Sequence, residues 1–129
     1  MKHLFYVILG LLFVMAPCHA EEYLKENMSF LQARKIVLAH GWHPYKTHLT
    51  GKDGFPWAAI ERKLLNRGME EVSSCSLGET DCNFFYTRGK TCLQVETRGE
   101  QIKWMRVIDW KIVTCPIVVN GEQRNSQPT

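Results

Sequence analysis

Four cysteines beyond residue 20 are the side chains of this sequence best suited to chemistry, and they are Cys75, Cys82, Cys92 and Cys115. Thiols form disulfides in an oxidising compartment, whereas four thiolates can also bind one zinc ion. Zinc sites of this kind usually contain close C-x-x-C pairs, which this sequence lacks, so we expect two disulfides. Four cysteines allow three connectivities. The pairing of Cys75 with Cys82 is favoured because both flank a short turn between predicted antiparallel strands, and Cys92 and Cys115 then pair by elimination.

Three histidines lie within nine residues of one another, at His40, His43 and His48, and Asp53 is nearby. Neutral imidazoles are common ligands of zinc and copper, so this cluster suggests a metal-handling protein as an alternative function. The favoured interpretation is simpler. His40 ends a predicted helix, where it interacts favourably with the helix C-terminus, and the other two histidines are solvated. We therefore expect no cofactor.

Residues that could support catalysis are poorly arranged in this sequence. Ser73, Ser74 and Ser76 surround a predicted disulfide, and no G-x-S-x-G motif is present. Neighbouring residues on a strand point to opposite faces, so Glu70 and Glu71 are not a suitable acid and base pair. We expect these two carboxylates, and Glu61, to be solvent-facing charges. The sequence predicts that the protein is not an enzyme.

Two helices are predicted in the first half of the chain. Ser29 and Gln32 form a capping-box pattern, apolar residues recur at helical spacing after it, and Gly41 ends the pattern. Residues 43–54 are predicted to form a loop because Pro44 disfavours helix for itself and for the residue before it. A second helix should begin with Pro56 at its first position and end at Gly68.

The second half of the chain predicts four antiparallel strands, over residues 70–76, 82–87, 91–98 and 101–113, separated by short turns. Met105 and Val107 lie out of phase with the apolar residues later in the last strand, so a bulge near Arg106 or burial on both faces is expected. The predicted fold class is α+β, with two N-terminal helices packed on a four-stranded antiparallel meander that is stapled by disulfides.

Aromatic residues exceed what a small two-layer core needs. Most of them, including Trp42, Trp57, Phe84 and Trp110, are expected to fill the space between helices and sheet. Phe85 and Trp104 are the candidates for an exposed patch. Because aromatic rings supply much of the contact energy at protein interfaces, these two are the predicted binding residues.

The first twenty residues have the three regions of a signal peptide: a basic start, an apolar run from Leu4 to Met15, and a small-residue cleavage site ending at Ala20. The apolar run is too short for a spanning anchor, and Pro17 fits a lipid attachment at Cys18 poorly. We predict a signal peptide over 1–20, a single α+β domain over 21–116, and an edge segment with a disordered tail over 117–129. The predicted location is periplasmic or secreted.

Charge excludes some classes of partner. Removing residues 1–20 takes away only Lys2, which leaves 15 Lys and Arg against 13 Asp and Glu, a net charge of +2 on a mature chain of 109 residues. Charges of opposite sign are interspersed along the sequence, so neither nucleic acid binding nor stable membrane insertion after signal cleavage is expected.

The segments ARK to GWHP (33–44), EVSSC to CNF (71–84) and LQV to TRGE (93–100) resemble small exported proteins of Gram-negative bacteria that lack an assigned activity. In outline, the predicted architecture is also similar to compact α+β inhibitor modules of the β-lactamase-inhibitor type. That resemblance implies a sheet that presents a binding face to another protein.

The sequence therefore predicts an exported, non-catalytic protein-binding module, an inhibitor or immunity protein of a periplasmic or secreted enzyme. It would occlude a site on its partner with the sheet face and the adjoining loops. The oligomeric state is left open by the sequence. The alternatives are a metal-handling protein and an envelope protein of some other activity, and a small hydrolase would need a cleft with a His beside a Ser or a carboxylate.

Overall fold

A computed structural model describes residues 21–47, 59–76 and 80–118. The elements in chain order are α1 (Phe30–Ala39), β1 (His43–Pro44), α2 (Ala59–Asn66), β2 (Val72–Cys75), β3 (Asp81–Arg88), β4 (Thr91–Arg98), a 3₁₀ turn (Ile102–Trp104) and β5 (Arg106–Thr114). The predicted α+β class is confirmed.

The sheet has five strands rather than the predicted four. Strands β3, β4 and β5 form the antiparallel meander, and the other edge of β3 is shared by β1 and β2. The extra strand is β1, which lies in the stretch predicted as loop and pairs His43 with Thr87 and Pro44 with Tyr86. Proline is tolerated there because β1 is an edge strand, where a missing N–H costs no ladder bond.

Helix α1 begins where the capping pattern predicts and buries Phe30, Ala33 and Val37. The capping box itself is wrong, because the Ser29 side chain makes no capping hydrogen bond. The backbone of Ser29 instead bridges Arg106, so the start of the helix is held by β5. The helix ends before Gly41, whose φ of +85° is the left-handed conformation that glycine adopts without strain.

Helix α2 packs Ile60 and Leu64 into the core and is followed by Gly68. The backbone N–H of Met69 donates to the Leu64 carbonyl at 3.0 Å, which closes the end of the helix. The predicted first residue of this helix, Pro56, and the predicted core residue Trp57 lie outside the described residues.

The segment between β4 and β5 differs from the predicted continuous strand. Residues 102–104 form a 3₁₀ turn, and β5 starts only at Arg106. Gly99 makes this reversal possible, since a Cβ at that position would lie 2.8 Å from the Met105 Cα. Ile102, which is buried, anchors the turn in the core.

A bulge in β5 explains the phase change noted in the sequence. Glu96 pairs with Asp109 and Thr97 with Val107, which leaves Ile108 as an extra residue. The bulge lies two residues beyond the predicted Arg106. It allows both Val107 and Trp110 to contact the core, although three positions separate them.

The core lies between the helices and one face of the sheet. The Phe30 ring stacks on Phe84 at a centroid distance of 4.1 Å, and Trp42 is buried beside them, as predicted. Side chains on the opposite face, including Asn83, Phe85 and Gln94, are half-buried. This second face is therefore only partly open to solvent.

The structure pairs Cys75 with Cys82 and Cys92 with Cys115. Cys82 shares the core face of β3 with Phe84, whereas Cys92 lies opposite Thr87 on the other face, so the two disulfides staple opposite faces of one sheet. Disulfides indicate an oxidising compartment outside the cytoplasm. No helix among the described residues is long and apolar enough to span a membrane.

The chain bends back after β5, as the second disulfide requires. The Tyr45 hydroxyl donates to the Pro116 carbonyl at 2.8 Å, and residues 115–118 follow β5 without strand geometry. This segment therefore covers one end of the second sheet face. The predicted signal peptide and the predicted tail beyond residue 118 lie outside the described residues.

Candidate functional site

The two predicted binding aromatics lie on different sides of the molecule. Trp104 is 58% exposed and belongs to the 3₁₀ turn, which contacts α1. Phe85 is half-buried on the sheet face away from the helices. Trp104 is thus an exposed aromatic residue as predicted, whereas Phe85 does not join it in one patch.

A groove adjoins Trp104 and separates the end of α2 from the 3₁₀ turn. It has a volume of about 470 Å³. Its lining residues are Lys63, Asn66, Arg67, Gln101, Ile102 and Lys103. We call this surface, together with Trp104, the Trp104 groove.

Local folding explains how these side chains come together. The last turn of α2 contains Lys63 and Asn66, and Arg67 is the residue after the helix. Cations at this position are stabilising because a helix C-terminus carries partial negative charge. The 3₁₀ turn supplies Lys103 across the groove, and its buried Ile102 fixes the turn to the core.

The groove is electropositive. Three of its six lining residues are cations, and none of the six is an acid. Among the described residues, Lys63, Arg67 and Lys103 form no ion pair with a carboxylate. The ammonium of Lys103 lies 5.2 Å from the Trp104 ring centroid, within cation–π range. An anionic group carrying an apolar neighbour would match this combination.

A buried carboxylate contradicts the prediction that Glu71 faces solvent. Glu71 is fully buried, and its Oε1 accepts hydrogen bonds from Arg34 Nε and from the Tyr86 hydroxyl, the latter at 3.1 Å. The prediction is wrong because Glu71 points inward, opposite to Glu70, where Arg34 and Tyr86 supply donors to its carboxylate. Glu70 does face solvent.

This cluster is structural. Burial raises the pKa of Tyr86 well above its ordinary value, and the adjacent Glu71 carboxylate raises it further, against a smaller opposing effect of Arg34. Tyr86 therefore stays protonated and donates to Glu71 throughout the physiological range. Glu71 Oε2 makes no hydrogen bond among the described residues, yet it is enclosed and cannot reach a substrate.

Glu61 is likewise buried, and the prediction of a solvent-facing charge is wrong for it as well. Its Oε1 accepts a hydrogen bond from the backbone N–H of Cys75 at 2.6 Å, so α2 is tied to the end of β2. Glu61 lies three residues before the buried Leu64, a spacing that places both on the same side of a helix. This spacing is the signal that sequence reasoning overlooked.

Two of the three predicted cluster histidines, His40 and His43, lie among the described residues. His40 stacks on Tyr23 at a centroid distance of 3.7 Å, and its Nδ1 lies 2.8 Å from the Ile36 carbonyl oxygen, as expected at a helix C-terminus. His43 is exposed on β1, and His48 lies outside the described residues. Within the described ranges, no group of three His, Cys, Asp or Glu side chains is placed to hold a metal ion.

Comparison with protein-family models, with curated proteins and with solved structures found no match to this chain.

Proposed function

We propose that this protein is an exported, non-catalytic protein-binding module that acts as an inhibitor or immunity protein of a periplasmic or secreted enzyme. The observation that supports this proposal is Trp104, which is 58% exposed and whose ring lies 5.2 Å from the ammonium of Lys103, a lining residue of a positively charged groove. The contact surface in this proposal is the Trp104 groove and not the sheet face that the sequence suggested.

Residue chemistry favours a protein partner. Trp and Arg are enriched among the residues that dominate the binding energy of protein interfaces, and Trp104 lies next to a groove containing Arg67. The exposed part of Trp104 offers a partner a large aromatic surface that would be buried on binding.

The scaffold suits inhibition. Gly99 and the buried Ile102 fix the 3₁₀ turn, and two disulfides hold the sheet behind it. A surface that is ordered before binding loses little conformational entropy on association, which raises affinity. As part of the same proposal, we infer that the protein is related to the small exported bacterial proteins that its sequence resembles.

The test is a quantitative capture experiment with the oxidised protein and an envelope extract. Trp104→Ala should remove the captured partner, since truncating an interface hot spot costs about 2 kcal/mol or more in binding free energy. Ile117→Ala is the matched control, because Ile117 is 86% exposed and belongs to the segment that covers the other sheet face. If both variants retain the same partner as the unmodified protein, the proposal fails.

A further inference from the structure

A second groove lies beside the first on the helical side of the molecule. It runs along α1 and has a volume of about 530 Å³. Its lining residues are Leu31, Gln32, Arg34, Lys35, Leu38 and Met69. We call it the α1 groove. Its lining combines apolar side chains with two cations and contains no acid.

The linings of the two grooves include residues that are close in sequence just after α2. Arg67 lines the Trp104 groove and Met69 lines the α1 groove, so only Gly68 separates the two linings along the chain. The 3₁₀ turn, which forms the far wall of the Trp104 groove, also contacts α1. We call the two grooves, together with Trp104, the helical surface.

Charge on the helical surface has one sign. Its twelve lining residues include five cations and no carboxylate. Arg34 is bonded to the buried Glu71, which leaves Lys35, Lys63, Arg67 and Lys103 without a carboxylate partner among the described residues. Elsewhere in the described part of the chain, cations such as Arg88 and Arg98 are paired with acids. Other cations among the described residues, such as Lys25, Lys90 and Lys111, also form no ion pair, and what distinguishes Lys35, Lys63, Arg67 and Lys103 is that they line concave surfaces.

We propose that the helical surface binds an acidic protein segment that also carries apolar side chains, an inference that rests on the proposed function and specifies its partner. The carboxylates of the segment would contact the four cations. Its apolar side chains would pack on Trp104, Leu31 and Met69. Complementary charge of this kind accelerates association and selects the partner, while the apolar contacts supply affinity.

A protein segment fits this surface better than nucleic acid does. Proteins that bind a nucleic acid backbone usually carry many clustered cations and a strongly positive net charge. The mature chain carries a net charge of only +2. Here the lining of the α1 groove combines cations with the apolar residues Leu31, Leu38 and Met69. Such a composition matches a chain with mixed acidic and apolar side chains.

The inference is tested by NMR on the ¹⁵N-labelled, oxidised protein. The probe is a short synthetic peptide of glutamates interrupted by leucines, and its matched control has glutamine at every glutamate position. We expect the glutamate peptide to shift the Trp104 indole N–H and the backbone signals of residues 31–38, 63–69 and 101–104. Added salt should weaken the binding, and the glutamine peptide should leave these signals in place.

Charge-reversed variants locate the contacts. Lys63→Glu combined with Arg67→Glu should weaken peptide binding about tenfold, and Lys35→Glu should weaken it about threefold, as expected for the loss of partly exposed ion pairs. Lys111→Glu is the control, because Lys111 is an exposed lysine on β5, away from both groove linings. Retention of the remaining amide signals shows that each variant is folded.

Three results would overturn the inference: equal binding of the two peptides, equal affinity for the Lys111→Glu and groove variants, or the same signals shifting only with a DNA duplex or with anionic lipid vesicles. Failure of this inference is distinguishable from failure of the proposed function. A partner whose capture depends on Trp104 but which does not compete with the glutamate peptide would leave the module proposal standing and reject only the acidic segment.

Discussion

At the scale of single residues, the polar cluster of Arg34, Glu71 and Tyr86 connects α1 to the sheet through buried hydrogen bonds. A fully buried carboxylate loses its hydration, and two donors, Arg34 and Tyr86, compensate for that loss. Arg34 also lines the α1 groove. The same guanidinium therefore connects the interior of the molecule to the helical surface.

Replacing Arg34 tests how far the stability of the fold depends on the cation beside Glu71. Arg34→Leu is expected to lower the free energy of unfolding by about 3 kcal/mol, because it leaves the buried Glu71 carboxylate without its cation. Urea denaturation of the oxidised protein measures the change. Lys35→Leu, at the adjacent exposed position, should change stability by less than about 0.5 kcal/mol.

The double variant Arg34→Leu with Glu71→Leu provides the decisive comparison. Removing both charges should recover much of the lost stability, since no unpaired charge then remains buried. A double variant as unstable as Arg34→Leu alone would show that packing, and not the buried charge, is responsible.

At the scale of elements, the bounds of several helices and strands were predictable, and the connections were not. The predicted strand over residues 91–98 matches β4, and α1 and α2 each end two residues before the predicted glycine. The 3₁₀ turn was missed because Ile102 and Trp104 fit the alternation of a strand as well as they fit a turn. Strand β1 was missed because two residues carry no periodic pattern. The Trp104 groove depends on that unpredicted turn, so only its tryptophan could be singled out from sequence.

Gly99 is the residue on which the turn depends. Its φ is +148°, and a Cβ would lie 2.8 Å from the Met105 Cα and 3.0 Å from the Met105 nitrogen. Gly99→Ala should therefore destabilise the protein by about 2 kcal/mol and displace the 3₁₀ turn, because backbone atoms would have to move.

The matched control is Gly89→Ala. Gly89 also has a positive φ, of +61°, but nothing lies within 4 Å of its Cβ position. Its cost should be about 1 kcal/mol, from backbone conformation alone. Thermal unfolding compares the two variants, and the Trp104 indole N–H signal reports whether the groove moves. Equal destabilisation with an unchanged Trp104 signal would contradict the role assigned to Gly99.

At the scale of the whole molecule, the pattern of helices and strands predicts the α+β class, and the even number of cysteines beyond residue 20 predicts two disulfides. Both predictions are confirmed. The helical surface was not predictable, because it is formed by side chains from α1, α2 and the 3₁₀ turn that are distant in sequence. Interspersed charges looked uninformative along the chain. In the folded chain, four cations without an ion pair among the described residues, Lys35, Lys63, Arg67 and Lys103, line the two grooves.

The two disulfides should differ in their contribution to stability. Cys75 and Cys82 are 7 residues apart in sequence, whereas Cys92 and Cys115 are 23 apart. Because closing a longer loop removes more entropy from the unfolded chain, replacing the Cys92 and Cys115 pair by serine should cost about 3.5 kcal/mol. Replacing Cys75 and Cys82 should cost about 2.5 kcal/mol, and urea denaturation measures both. The reverse order would contradict the loop-entropy explanation.

The two covalent rings do not overlap along the chain, since one closes at Cys82 before the other opens at Cys92. Tryptic cleavage at the exposed β-turn containing Arg88 and Lys90 would therefore yield two polypeptides with no covalent link, each retaining its own intact crosslink. The noncovalent ladder between β3 and β4 would have to hold the halves together. This makes the molecule a natural candidate for fragment complementation, in which separately produced halves reassemble at that ladder.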